Sequence, residues 1–211
     1  MARTFSHDSV RGLAEHCTVP VINALSDYSH PCQAMADIMT AMEVFGDLAG
    51  RKLTFVGDGN NVARSLAMLC AKLGVDFVLA CPPGYELAEE FITRAGQQAL
   101  GAGSSVTQVH SPAEAVEGAS VVYTDTWVSM GQEQEKAKRL ADFEGFQISA
   151  ELMEGASDEA VVMHCLPAYR GYEITDEMMA VHADTIFAEA ENRLHFQRTL
   201  VNQLITEGEI R

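Results

Sequence analysis

Short apolar runs alternate with longer segments of helical periodicity along most of the 211-residue chain. Runs rich in branched and aromatic residues predict strands over 19–24, 52–56, 75–80, 105–110, 120–124, 161–164 and 185–187. Capping residues and helical periodicity predict helices over 8–17, 31–45, 60–73, 85–100, 133–142, 175–182 and 189–205, with a short one after Ser111. This order predicts an α/β fold with a doubly wound, mainly parallel sheet and helices on both faces.

The alternation of strands and helices is regular only from residue 51 to 187, which predicts one doubly wound domain there. The segment before it holds one helix, one strand and one long helix. Those elements are too few to bury a core of their own. The polar segment 125–134 lacks periodic structure, and long loops of this kind often carry function.

Charge narrows the possible partners of the chain. It carries 14 basic and 30 acidic residues, a formal net charge of -16, which argues against binding to nucleic acid. The acidic residues are consistent with an ordinary solvated surface, or with a field that favours cationic substrates. An anionic substrate would need a local group of arginines or a helix N-terminus.

Hydropathy and cysteine content predict the compartment. Mean hydropathy is +0.01, and no apolar run approaches the ~18 residues of a membrane span. The first residues lack the apolar core of a signal peptide, so a soluble, cytoplasmic protein is expected. Five cysteines, an odd number without a C-x-x-C pair, favour neither a disulfide framework nor a zinc site.

A glycine-rich turn follows the predicted strand 52–56 in the sequence Gly57-Asp58-Gly59-Asn60-Asn61. A dinucleotide such as NAD is one interpretation, with Asp76 as the ribose-binding acid. The fingerprint, however, requires a third glycine where Val62 stands. A tight turn without a ligand is the second interpretation. The third is that Asn61 points its amide into the crevice above the sheet, where it could bind the polar groups of an amino acid.

Two further polar clusters lie at positions that can bind ligands, one at a strand end and one at a helix start. Asp125 ends the strand 120–124, and Ser129 follows in the same loop; Asp125 could hold an ammonium group or could cap a helix. His30 and Gln33 flank a predicted helix start. There His30 could donate to a developing oxyanion, or could serve only as an imperfect cap.

The fourth cluster is His164-Cys165-Leu166-Pro167, at the end of an apolar strand. Cys165 could be a nucleophile, a hydrogen-bond partner or a wall of the site. His164 should point to the opposite face of the sheet, which argues against a Cys–His nucleophilic pair. Glu189 and Glu191 suit the start of the predicted last helix, and Arg193, like Arg3, could reach a phosphate.

Taken together, these clusters resemble those of the ornithine carbamoyltransferases in order and spacing over nearly the whole chain. The resemblance implies transfer of a carbamoyl group from carbamoyl phosphate to the δ-amine of L-ornithine, without a metal or redox cofactor. It assigns carbamoyl phosphate to Arg3, His30, Gln33, Cys165, Leu166 and Arg193. It assigns ornithine to Asn61, Asp125, Ser129 and Met130, and catalytic roles to Cys165, His30 and Arg3.

The chain departs from that family because it contains no Ser-x-Arg-Thr phosphate loop. The resemblance therefore divides it into a remnant of the carbamoyl-phosphate lobe (1–30), a linking helix (31–46), an ornithine-binding domain (47–188) and a C-terminal helix (189–211). Family members form homotrimers, which we expect of a full-length form. For the 211 residues alone we expect little or no activity. A non-catalytic amino-acid-binding module, or transfer to an acylated ornithine, stays open.

Overall fold

The computed structural model describes residues 1–129 and 131–206. Its strands are β1 (Ala2–Arg3), β2 (Asn23–Leu25), β3 (Lys52–Val56), β4 (Asp76–Ala80), β5 (Val106–Val109), β6 (Val121–Thr124) and β7 (Val161–His164). The helices are α1 (His7–His16), α2 (Pro31–Phe45), α3 (Asn61–Leu73), α4 (Glu89–Ala102), α5 (Pro112–Val116), α6 (Lys136–Asp142), α7 (Ala150–Met153), α8 (Asp176–Val181) and α9 (Ala183–Thr206).

Strands β3 to β7 form a parallel five-stranded sheet in the order β5-β4-β3-β6-β7. The chain moves outward from β3 through β4 to β5, and then returns to place β6 on the other side of β3. Val56 pairs with Thr124, so β3 and β6 end side by side at this reversal. In open α/β sheets such a reversal opens a crevice above the strand ends, where ligands bind. The predicted fold class is confirmed.

The centre of the sheet is buried on both faces, as a parallel sheet covered by helices requires. Phe55 on β3 and Tyr123 on β6 are fully buried and stack with ring centroids 5.4 Å apart. Helix α3 covers this region with Leu66 and Ala67, which are also fully buried. Rigid packing below the strand ends therefore supports the residues above them.

Two elements at the start of the chain differ from the prediction. Strand β2 is shorter than the predicted 19–24 and pairs in parallel with β1, which the sequence pattern did not indicate. Pro20 lies in the part of the predicted segment that does not form a strand, because proline has no N–H to donate to a neighbouring strand. Helix α2, by contrast, begins at Pro31 and ends at Phe45, with Gly46 as its C-cap, as predicted. The boundaries predicted between lobes stay predictions.

Helix α4 begins at Glu89, four residues later than predicted. Residues 85–88 instead cover the turn after β3: the Gly59 amide donates to the Tyr85 carbonyl at 2.8 Å, and the Leu87 amide donates to Gln108 Oε1 at 3.1 Å. The side chains of Tyr85 and Leu87 are buried. These tertiary contacts outweigh the local helix preference of the segment.

The last part of the chain is one helix, so the predicted strand 185–187 and the helix start near residue 189 are wrong. Helix α9 buries Ile186, Glu189 and Asn192, which are three residues apart and lie on one face. Glu189 is therefore an interior, buried residue and not the acid of a first turn. The short helix α7 was not predicted, and the predicted helix 133–142 is a 3₁₀ turn (Glu133–Glu135) followed by α6.

No helix within residues 1–129 and 131–206 has the length and apolar character needed to cross a membrane.

Candidate active site

A cleft of about 710 Å³ lies above the ends of β3 and β6. Strand β1, the start of α2, the segment after β7 and helix α9 complete its walls. Nine of the ten residues that the sequence singled out line this cleft: Arg3, His30, Gln33, Asn61, Asp125, Ser129, Cys165, Leu166 and Arg193. The tenth, Met130, lies outside the described residues. Their roles stay predictions, but the fold brings them to one place.

Asn60 links the two loops that form the floor of the cleft. Its Oδ1 caps α3 by accepting from the amides of Val62 (2.9 Å) and Ala63 (3.0 Å). Its Nδ2 donates to Asp125 Oδ2 at 2.7 Å. The sequence indicates Asn61 and not Asn60 as a site residue, although an asparagine directly before a helix is a typical N-cap signal.

Asp125 is buried, and neighbouring groups hold both of its oxygens. Besides the bond from Asn60, Oδ1 accepts from the Thr126 amide at 2.7 Å and from the Cys165 thiol at 3.0 Å. A loop and no helix follows Asp125, so its interpretation as a helix cap is wrong. The carboxyl group is therefore fixed in direction at the edge of the cleft.

The Cys165 thiol remains protonated near neutral pH. Burial and the nearby Asp125 carboxylate raise the pKa of this thiol well above its usual value. His164 gives it no base, because its Nε2 faces Glu173 Oε1 at 3.2 Å and its Nδ1 accepts from the Leu166 amide at 2.9 Å. The geometry thus excludes a Cys–His nucleophilic pair and makes Cys165 a hydrogen-bond donor to Asp125.

The opposite side of the cleft is basic. His30 is buried near Arg193 and Arg3; its burial, reinforced by these two cations, lowers the pKa of the imidazole to about 3. The ring is therefore neutral at pH 7 and can donate one hydrogen bond. Arg193 donates from its guanidinium to Gln33 Oε1, which connects α9 with the start of α2.

Asn61 lines the cleft as predicted and also contacts β2. Its Nδ2 donates to the Ser26 carbonyl at 2.6 Å, which leaves Oδ1 available as an acceptor. Ser129 is held through its amide, which donates to Gln132 Oε1 at 3.0 Å. Both side chains can therefore offer polar atoms to an amino acid.

The glycine-rich turn is explained by packing. A Cβ on Gly59 would lie 2.6 Å from the Tyr85 carbonyl oxygen, so no side chain fits there. Asp76 stands at the start of β4, the sheet edge opposite the cleft, and Ser105 donates to it from its amide (2.8 Å) and hydroxyl (2.7 Å). Asp76 therefore cannot bind the ribose of a dinucleotide in the cleft, which argues against that interpretation.

A buried arginine that the sequence analysis missed holds the loop after β6. Arg139 on α6 pairs with Asp58 at 2.7 Å and donates to the Trp127 carbonyl at 3.1 Å. Glu135 adds a contact to Arg139 Nε at 3.1 Å. No sequence signal separates Arg139 from the other charges of its helix, because its partners lie in other segments.

Known proteins share both the sequence and the fold of this chain. The family model described as "Aspartate/ornithine carbamoyltransferase, Asp/Orn binding domain" matches residues 49–204. The model for the carbamoyl-P binding domain of the same proteins matches residues 1–43.

Individual relatives agree with the family models. The ornithine carbamoyltransferase of Methanosarcina mazei is 51% identical over 205 residues, which are 97% of this chain and 67% of the relative. That of Bacillus subtilis is 46% identical over 209 residues, 99% of this chain and 66% of the relative. The structure of the Pyrococcus furiosus ornithine carbamoyltransferase superposes with a TM-score of 0.91 at 46% identity, covering 100% of this chain and 67% of that one.

The chain thus spans about two thirds of the length of the relatives that it matches. The matches cover almost every residue of it, at identities that leave no ambiguity about descent. The chain belongs to the aspartate/ornithine carbamoyltransferase family.

Proposed function

We propose that this cleft takes part in carbamoyl transfer from carbamoyl phosphate to the δ-amine of L-ornithine, with L-citrulline and phosphate as products. The observation that carries the proposal is the 3.0 Å contact between Cys165 Sγ and Asp125 Oδ1 at the cleft edge. This contact fixes the direction of the Asp125 carboxylate, which can bind a cationic amine. The basic residues on the opposite side of the cleft supply positive charge for an anionic phosphate.

The acceptor amine would bind at the Asp125 side. A carboxylate with a set direction holds an ammonium group well, and Asn60 and Cys165 set that direction by donating to it. Ornithine must lose one ammonium proton to solvent before its nitrogen lone pair can attack. We assign to Asp125 and Cys165 the orientation of this amine, and to Asn61 and Ser129 the amino-acid end of the same substrate.

The amine nitrogen then attacks the carbonyl carbon of carbamoyl phosphate. The new C–N bond forms and a tetrahedral oxyanion develops. The C=O bond then re-forms as the C–O bond to phosphate breaks, and the second proton of the nitrogen leaves with the phosphate. A neutral His30 can donate to that oxyanion without losing a hydrogen bond to water, because its ring is buried. Arg3 and Arg193 would stabilise the departing phosphate.

Calorimetric titration of the chain with L-ornithine and with L-norvaline, which lacks the δ-amine, tests the acceptor site. We expect Asp125→Asn to remove the preference for ornithine, since the amide carries no charge. Asp158→Asn, at an exposed position outside the cleft, is the matched control. An unchanged preference in Asp125→Asn would contradict the proposed site.

Turnover is tested separately by citrulline formation with carbamoyl phosphate present. Binding of ornithine without citrulline would favour the alternative of an amino-acid-binding module. A homotrimer stays a prediction for the full-length form, and light scattering checks it.

A further inference from the structure

Two carboxyl groups lie buried side by side under the basic side of the cleft. Asp37 on α2 is 1% exposed and Glu189 on α9 is fully buried. Within residues 1–129 and 131–206, no lysine or arginine forms an ion pair with either of them. Two adjacent negative charges without a cation are very costly in a dry interior. The pair should therefore hold one proton.

The hydrogen bonds show which carboxyl group is charged. Glu189 Oε1 accepts from Gln33 Nε2 at 3.0 Å and from the Tyr123 hydroxyl at 2.9 Å, and Oε2 accepts from the His164 amide at 3.0 Å. Asp37 accepts from Gln33 at 2.7 Å on Oδ1, and no group within residues 1–129 and 131–206 donates to its buried Oδ2. Donors stabilise the ionised form, so the charge belongs on Glu189 and the proton on Asp37 Oδ2.

The surroundings of the pair agree with this placement. Burial, the charge of Glu189 and the hydrogen bond between the two groups raise the pKa of Asp37 well above its usual value, against smaller opposing effects of Gln33 and Tyr123. Burial also raises the pKa of Glu189, whereas its bonds to Asp37, Tyr123 and His164 lower it. The thiol of Cys165 also faces the pair, and its raised pKa keeps it neutral.

The pair determines how the Gln33 amide is turned. Both of its hydrogens go to the carboxyl groups, so its oxygen faces outward and accepts from Arg193. The reverse orientation would set the amide hydrogens against a guanidinium, which only donates, and the amide oxygen against two carboxyl oxygens. The two buried acids therefore determine that the Gln33 amide presents its oxygen, and not its NH₂ group, to Arg193.

We propose that Asp37 and Glu189 share one proton, held on Asp37, and act as positioning residues that fix the Gln33 amide and, through it, the Arg193 guanidinium at the cleft. The role at the cleft rests on the proposed function, because it supposes that an anion binds beside Arg193. The shared proton does not depend on it.

Two isosteric variants separate the roles of the acids. Asp37→Asn is the conservative one: its amide nitrogen replaces the carboxyl O–H as donor to Glu189, and its oxygen still accepts from Gln33. Glu189→Gln cannot satisfy its surroundings. In either rotamer its NH₂ group meets donors, either Gln33 and Tyr123 or the His164 amide. We therefore expect opposite behaviour from two substitutions that each remove one carboxyl group.

The measurement is titration of the chain with inorganic phosphate and with carbamoyl phosphate, alongside infrared spectroscopy at pH 7. We expect Glu189→Gln to raise the dissociation constant of each anion roughly tenfold, because one buried donor is left unpaired. The dissociation constants of Asp37→Asn should stay close to those of the wild type. The wild type should show the C=O band of a protonated carboxyl group, and Asp37→Asn should lack it.

Equal effects of the two variants on binding would overturn the positioning role. A carboxylic acid band that persists in Asp37→Asn, or that the wild type lacks, would overturn the shared proton, even if Glu189→Gln fails to fold. If the wild type binds neither anion, the anion site of the proposed function fails and the positioning role fails with it. The infrared band then still decides where the proton lies.

Discussion

Replacing Gly59 by alanine should destabilise the chain through a backbone collision. The added Cβ would lie 2.6 Å from the Tyr85 carbonyl oxygen, 2.7 Å from the Leu87 nitrogen and 2.8 Å from the Glu86 carbonyl carbon. All three atoms belong to the main chain, so no side chain can turn away. Segment 85–87 would have to move by roughly 0.8 Å to reach ordinary contact distance.

The cost follows from two contributions. Overpacking of this kind costs about 1–3 kcal/mol. Loss of the hydrogen bond from the Gly59 amide to the Tyr85 carbonyl adds about 1 kcal/mol. We therefore expect the free energy of unfolding to fall by about 2–4 kcal/mol. For a chain of this size that corresponds to a melting temperature lower by roughly 10 °C.

Urea and thermal unfolding, followed by circular dichroism, measure this change. The matched control is Gly96→Ala in the interior of α4, where no atom lies within 4 Å of the added Cβ. That substitution should stabilise the chain by about 0.5–1 kcal/mol, because alanine favours the helix. If Gly59→Ala unfolds at the wild-type midpoint or above it, packing does not explain the glycine at this turn.

Two further predictions use titration and thiol reactivity. The pKa of His30 is about 3 in the fold and 6.5 when unfolded, so only the unfolded state takes up this proton as pH falls from 7 to 4. Over that range, the free energy of unfolding should therefore fall by about 3 kcal/mol more in the wild type than in His30→Gln. Urea titrations measure both decreases, and equal decreases would refute the prediction. At pH 8, iodoacetamide should label the exposed Cys17 well before Cys165, because burial and the neighbouring Asp125 raise the pKa of Cys165. Mass spectrometry would follow both labels, with Cys17→Ser as the control, and equal labelling rates would contradict this prediction.

The sequence predicted the parts of the site that end a strand or begin a helix. Asp125 and Cys165 follow apolar runs directly, and His30 precedes the proline that starts α2. In these cases the signal is local: a run of buried residues ends and a polar residue follows. Because parallel strands bring their carboxyl ends to one edge, local signals were enough to place these residues on a common cleft.

The sequence did not predict buried polar residues whose partners are distant. Glu189 lies 156 positions from its donor Gln33, and its sequence context is typical of an acid at a helix start. Arg139 resembles any helical surface charge until Asp58, 81 positions away, is seen beside it. Burial of a charge depends on the complete tertiary structure, so neither periodicity nor propensity can indicate it.

The buried face of α9 has a thermodynamic consequence. Of its three buried residues only Ile186 is apolar, whereas Glu189 and Asn192 are polar and satisfied by β6, β7 and α2. Directional bonds therefore fix the rotation of this helix about its axis. Detaching α9 would expose Glu189 and Asn192 together with Ile186, and exposed polar surface lowers the change in heat capacity that exposed apolar surface raises. Hydrogen exchange at several temperatures would measure this change for the local opening of the helix.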